Sequence, residues 1–138
     1  MPMFTPHSWT IVVGSDRAYY DSMQSRRSLY GPSVEFPAQS GERRLALSGK
    51  QMRIGRRSAA RSLRPEIDLA EPPTDPGVSR LHAVLIATAD GSWGVLDPGS
   101  ANGTLLNGRE IPVGDLVPLQ NGDRIYLGAW TVITVHRG

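Results

Sequence analysis

The chain contains no cysteine. That absence excludes a disulfide scaffold, a zinc–thiolate site, an iron–sulfur cluster and a cysteine nucleophile. Lysine is almost missing as well: of 15 basic residues only Lys50 is a lysine, and the rest are arginines. Long apolar runs are lacking. The longest, Leu81–Ala87 and Trp130–Val135, fall far short of the roughly 20 residues a membrane-crossing helix needs. Met1–Ser8 has no basic stretch leading into an apolar segment, so no signal peptide is expected, and a cytoplasmic location is. No long 3.6-residue period appears. The best helix candidate is the short stretch Arg17–Gln24, where Tyr19 and Met23 stand four apart. His7, His82 and His136 lack metal-ligand spacing, and no glycine-rich turn precedes a helix, so neither a metal nor a cofactor is expected.

What is present points to short strands. The 138 residues suit one domain, and 39% hydrophobic with 20% charged residues is a globular composition. Fifteen glycines and 11 prolines imply many turns. Trp9–Val13, Ser33–Phe36, Arg44–Leu47, Gln51–Ile54 and Ile67–Leu69 read as strands, the third and fourth joined in a hairpin across Ser48-Gly49-Lys50. Leu81–Ala87 is nearly continuous apolar, as in a central strand. Trp93–Leu96 returns from an Asp90-Gly91 turn, and Thr104–Leu106 precedes a hairpin turn at Asn107-Gly108. Val117–Leu119 contains a proline and reads as an edge. Arg124–Leu127 and Trp130–Val135 close as a last hairpin. Eight to eleven short strands predict an all-β, antiparallel β-sandwich. Residues 1–8 are expected to be a tail and 9–138 a single domain, with an enlarged loop over 14–32.

The net charge of +2 conceals a local excess: Arg53, Arg56, Arg57, Arg61 and Arg64 fall within twelve positions. Arginine presents a planar fork of donors suited to phosphate and carboxylate oxygens. The cluster is either a solvated surface or a site for an anionic group. A nucleic acid is the alternative ligand from another class, although a nucleic-acid groove interleaves exposed aromatics with its basic residues. Here most aromatics occupy strand positions that read as core.

Several short motifs stand at strand-to-loop junctions. Gly55-Arg56 ends one strand, and Ser79-Arg80-Leu81-His82 opens the central one. Ser100-Ala101-Asn102-Gly103-Thr104 joins two strands. Asn107-Gly108 and Gly122-Asp123 are turns. In this order the set resembles the forkhead-associated (FHA) domain family, whose pattern is Gly-Arg, Ser-x-x-His, Ser-x-Asn-Gly-Thr, Asn-Gly and Gly-Asp. The resemblance covers residues 44–138. It implies an eleven-stranded sandwich whose apical loops bind phosphothreonine peptides. The chain would then be an interaction module in signal transduction, not an enzyme, docking a phosphorylated protein downstream of a Ser/Thr kinase. Motif dialect and arginine-rich composition look like bacterial, actinobacterial members.

The resemblance implies that Arg56, Ser79 and Arg80 contact the phosphate, and that Asn102 pairs with the peptide backbone. Ala101 stands where a hydroxyl residue often adds a phosphate contact, and offers only its N–H. Gly55, His82, Gly103 and Thr104 would support the binding loops, and a small apolar notch would take the threonine methyl. Ser79 and His82 could be misread as a nucleophile and base, but no nucleophile elbow surrounds Ser79 and no acid is placed to orient His82. The loop before Ser79 carries no positive charge to select an acidic residue after the phosphothreonine. Asp75 in that loop is instead expected to tolerate basic flanks.

Overall fold

Alternation along each strand decides which side chains are buried, because successive residues face opposite sides of a sheet. The computed structural model describes residues 8–27, 35–37 and 41–138. Its strands are β1 (Trp9–Ser15), β2 (Arg43–Ala46), β3 (Gln51–Gly55), β4 (Ile67–Asp68), β5 (Leu81–Ala87), β6 (Trp93–Leu96), β7 (Thr104–Leu106), β8 (Arg109–Glu110), β9 (Val117–Pro118), β10 (Arg124–Leu127) and β11 (Thr131–Arg137). An α-helix, α1 (Arg17–Arg27), follows β1, and a single 3-10 turn spans Ala59–Arg61. The strands form a six-stranded sheet ordered β2-β1-β11-β10-β7-β8 and a five-stranded sheet ordered β4-β3-β5-β6-β9. The fold is an all-β sandwich. Its pairs are antiparallel except β3 with β4.

The two inner faces make one core. Ile11, Val13, Ile125, Leu127, Ile133 and Val135 come from the larger sheet; Met52, Ile54, Ala83, Leu85, Trp93 and Val95 come from the smaller. β5 is central in the smaller sheet, as its continuous apolar run predicts, and β9 with its proline is an edge. Asn107 and Gly108 both have positive φ, at 52° and 87°, as a tight two-residue hairpin turn requires.

Two local expectations need correction. β2 and β3 do not form a hairpin: β2 pairs with β1, placing Leu45 opposite Ile11, while β3 pairs with β5. Leu45 and Leu47 on one side of the Ser48-Gly49-Lys50 turn, and Met52 and Ile54 on the other, reach the same core from different sheets. The chain therefore crosses the sandwich at this turn. For the strand expected over Ser33–Phe36, Ser33 and Val34 lie outside the described residues, and Glu35 and Phe36 belong to no strand.

The 14–32 stretch contains α1, three residues longer than the predicted Arg17–Gln24. Asp16 caps it, its Oδ1 accepting from the Tyr19 N–H at 2.8 Å. Tyr19 and Met23, the pair noted in the sequence, are buried. The Tyr19 ring lies 5.1 Å from that of Tyr126 on β10. Neither Tyr19 nor Met23 belongs to the main core cluster, so α1 covers the outer face of the six-stranded sheet. Its Tyr19 hydroxyl donates to the Gly128 carbonyl at 2.7 Å, fixing the helix to the β10–β11 turn.

Leu85, on the central strand, is completely buried. Leu85→Ala is expected to destabilise the domain by about 2–5 kcal/mol through lost burial and a residual cavity. Urea unfolding measures it; a loss below about 1 kcal/mol would mean that the two sheets close over the gap.

Candidate functional site

Antiparallel pairing brings the end of β3, the start of β5, the end of β6, the start of β7 and the β10–β11 turn to one end of the sandwich. The motif residues Gly55, Arg56, Ser79, Arg80, Ala101, Asn102 and Gly103 all lie there. Hydrogen bonds between the loops set their geometry.

Gly55 makes the first contact possible. A Cβ on it would stand 1.9 Å from the Arg80 carbonyl oxygen, so only glycine lets the strand end approach. The ladder shifts register at this point. Beyond it the Arg56 N–H donates to the Arg80 carbonyl at 3.0 Å. The Arg56 side chain is half-buried, not wholly turned to solvent as a strand-end position would suggest. Its Nε donates to the Val78 carbonyl at 2.6 Å. Nη1 and Nη2 make no hydrogen bond among the described residues, which leaves the outer fork open. Arg80 is exposed.

His82 is wholly buried at the start of β5. Its Nδ1 accepts from the Ser79 N–H at 3.0 Å, so the ring proton is on Nε2, which donates to the Gly103 carbonyl at 2.9 Å. One imidazole thus fastens two loops together. It contacts the Ser79 backbone rather than its hydroxyl, so it is not placed as a base. The Ser79 Oγ accepts from the Ala101 N–H at 3.0 Å, leaving the hydroxyl proton to be donated elsewhere. This corrects the expectation for Ala101: its N–H is already used in holding Ser79. Asn102 is exposed and donates one amide proton to the Gly77 carbonyl at 2.9 Å. Its other amide proton and its Oδ1 remain.

Two buried carboxylates brace these loops, and neither role was read from the sequence. Asp97 accepts from the Gly99 and Ser100 N–H groups and from the Ser100 and Thr104 hydroxyls. Burial pushes its pKa up, but these donors outweigh burial and hold it below the usual carboxylate range. Thr104, fully buried, therefore supports the loop through Asp97. Asp75 accepts from the Gly77, Ala129, Trp130 and Thr131 N–H groups and the Thr131 hydroxyl, at 2.7–3.2 Å. It is 2% exposed, so it cannot face a ligand's basic flank as expected. The available signal was its place in a turn sequence, Asp-Pro-Gly, where Asp commonly accepts from the backbone two residues on.

The arginines of the cluster are not equivalent. Arg53 grips Glu66 with two side-chain nitrogens, at 3.2 and 3.0 Å, and those hydrogen bonds hold the Glu66 carboxyl down at about 2. Arg57 pairs with Asp68 at 3.0 Å and Glu71 at 2.7 Å. Two of the five arginines thus face carboxylates of the chain itself, which lends no support to the nucleic-acid alternative.

The FHA domain family model matches residues 52–128, more than half of the chain. The chain belongs to the FHA domain family. An FHA domain-containing protein of Arabidopsis thaliana, At4g14490, is 42% identical over 62 residues, which are 45% of this chain and 16% of that protein. The chain therefore spans a small part of that relative's length. Its plant source gives no support to the actinobacterial provenance expected above. Among solved structures, the FHA domain of an Arabidopsis thaliana hypothetical protein is similar at TM-score 0.62 and 24% identity, over 99% of this chain and 93% of that one. Full-length yeast Pml1p is similar at TM-score 0.64 and 18% identity, over 96% and 83%. The N-terminal FHA domain of S. cerevisiae Rad53p, solved in complex with a phosphothreonine peptide, is similar at TM-score 0.58 and 22% identity, over 73% and 87%. These structural likenesses support the fold.

The buried His82 should give this FHA domain an acid sensitivity. Burial lowers its pKa below the usual value of 6.5, against the opposing pull of the Gly103 carbonyl and the Asp97 and Asp75 charges. A proton is thus taken up more readily by the unfolded chain. The stability due to neutral His82 is complete above the unfolded value and declines as the pH drops towards the folded one. The urea midpoint should fall from about pH 7.5 to about pH 5.5, and His82→Gln, which can accept and donate without titrating, should flatten that dependence. Equal midpoints for the wild type at both pH values would contradict the assignment.

Proposed function

We propose that this FHA domain binds phosphothreonine peptides and acts by docking a partner that a Ser/Thr protein kinase has phosphorylated. The observation that carries the reading is the set of donors left over after the loops have satisfied one another. The outer fork of Arg56, the hydroxyl proton of Ser79 and the exposed Arg80 belong to one end of the sandwich. A phosphate carries a charge of about −1.5 to −2 and three strong acceptor oxygens. Each charge-assisted bond contributes about 1.5–3 kcal/mol. A few of them, less the ordering costs, suffice for micromolar binding at about −8 kcal/mol. The relative solved with a phosphothreonine peptide supports the same ligand class.

In this reading Asn102 offers its remaining amide proton and its carbonyl oxygen to the peptide backbone. Ala101 acts by holding Ser79, while Gly55, His82, Gly103 and Thr104 fix the loops. Residues 9–138 act as one binding domain. Catalysis is not part of the proposal: both nitrogens of His82 are occupied, so it cannot take the Ser79 proton.

Calorimetric titration with three peptides that differ only in carrying phosphothreonine, phosphoserine or threonine tests the proposal. The first should bind with micromolar affinity and the third not measurably. Burying the extra methyl contributes about 0.8 kcal/mol, roughly fourfold. The stiffer χ1 of threonine should widen the gap over phosphoserine to about tenfold. Arg80→Ala should weaken phosphothreonine binding about tenfold or more without lowering the unfolding midpoint. Arg56→Ala should weaken binding and cost about 1 kcal/mol of stability, because it also releases the Val78 carbonyl. Binding of the unphosphorylated peptide as tightly as the phosphorylated one would end the reading.

A further inference from the structure

Most acidic groups around the arginines of the loop end are engaged inside the protein. Glu66 is held by Arg53, and Asp68 and Glu71 by Arg57. Asp75 and Asp97 are buried beneath their own donors. Glu110 is not engaged. It is the last residue of β8, it is exposed, and it makes no hydrogen bond or ion pair among the described residues.

Its position is specific. The Glu110 Oε1 lies 2.7 Å from the point that a Cβ on Gly103 would occupy. The carboxylate rests over the residue after Asn102, in space open only because residue 103 has no side chain. Gly103 is in turn fastened through His82 to Ser79. The loop end therefore has two electrostatic sides. Arg56 and Arg80 stand where β3 meets β5; Glu110 stands on β8, the edge of the other sheet.

The chain beyond Glu110 is tied to the same loop. The Ile111 N–H donates to the Thr104 carbonyl at 3.0 Å, and the Gly114 N–H to the Asp97 carbonyl at 2.9 Å. Residues 111–114 are thus bonded to both ends of the loop carrying Asn102. Between these anchors Val113 is 64% exposed, a large apolar side chain in water. An anionic side chain passing Gly103 would meet the Glu110 charge, whereas a lysine or arginine is long enough to bring its charge to the carboxylate.

From the unpaired Glu110 carboxylate over Gly103, next to Asn102, we infer that Glu110 selects a lysine or arginine flanking the phosphothreonine and disfavours an acidic residue there. The inference rests on the phosphothreonine reading and names the class of peptide within it. The phosphate is drawn to one side of the site and the basic residue to the other, so charge also sets the peptide's direction across the loops.

Arginine, and separately glutamate, is scanned singly through the positions flanking phosphothreonine in an otherwise alanine peptide, and binding is measured at low salt. For the wild type, arginine at one or more positions should tighten binding about three- to fivefold over the all-alanine peptide, the scale of an exposed ion pair. That gain should shrink as salt rises. Glu110→Gln should abolish the gain while binding the all-alanine peptide as well as the wild type does. Glu110→Lys should transfer the preference to glutamate at the same positions. If the all-alanine phosphopeptide binds and no position shows an arginine gain that Glu110→Gln removes, the selectivity is overturned and the phosphothreonine reading stands. If the all-alanine phosphopeptide and its arginine-scanned versions bind no better than their unphosphorylated forms, both are overturned.

Discussion

A carboxylate buried away from water must find compensating hydrogen bonds or it destabilises the fold by several kcal/mol. Asp75 meets this constraint with four backbone N–H groups and one hydroxyl, most of them from the β10–β11 turn. The rest of the loop end is built on that satisfaction. With Asp75 fixed, Gly77 and Val78 are fixed, and their carbonyls become the anchors for Asn102 and Arg56. The far side of the same turn holds Tyr19 of α1. One acidic side chain thus organises a loop, a hairpin and a helix docked on the outside of the sheet.

The arginines show why charge has to be counted after folding rather than before. Five in twelve positions read as a basic patch, yet Arg53 and Arg57 turn to carboxylates that lie up to fourteen residues ahead of them. Their partners lie on and around β4, a strand of two residues that pairs parallel with β3. No periodicity in the sequence announces that pairing. What the folded molecule offers to solvent is smaller and more directional: an open guanidinium fork at Arg56, Arg80 beside it, and an unpaired Glu110 across the loops.

The sandwich, the central position of β5, the edge position of β9 and the hairpins at Asp90-Gly91 and Asn107-Gly108 were legible in the sequence. Each rests on a local signal, either alternation or turn chemistry. The β2–β3 hairpin misled because a short Ser-Gly-Lys turn between two alternating segments looks the same whether the chain pairs with itself or crosses between sheets. Only the competing partner, β1, decides it. Motif order singled out the residues that the fold brings to one end of the sandwich, whose binding roles are proposed above. The paired Arg57, the occupied N–H of Ala101 and the buried Asp75 could not be read this way, since each depends on residues 11 to 56 positions away. Glu110 went unnoticed for a different reason: the hairpin could be foreseen, but not that this side chain would come to rest over Gly103.

The strand order has a further effect on how the molecule is made. β1 lies between β2 and β11, and its long partner is β11, with Trp9 opposite Arg137. Until residues near 137 have emerged from the ribosome, β1 has only the four-residue β2 beside it, its other edge of backbone N–H and C=O groups is unpaired, and Ile11 and Val13 lie uncovered on its inner face. Contacts so distant in sequence close slowly, and open strand edges invite association with other chains. The nascent domain is therefore exposed to aggregation for almost the whole of its synthesis, and its core becomes complete only when the last strand slots into the middle of a sheet whose other members have been waiting for it.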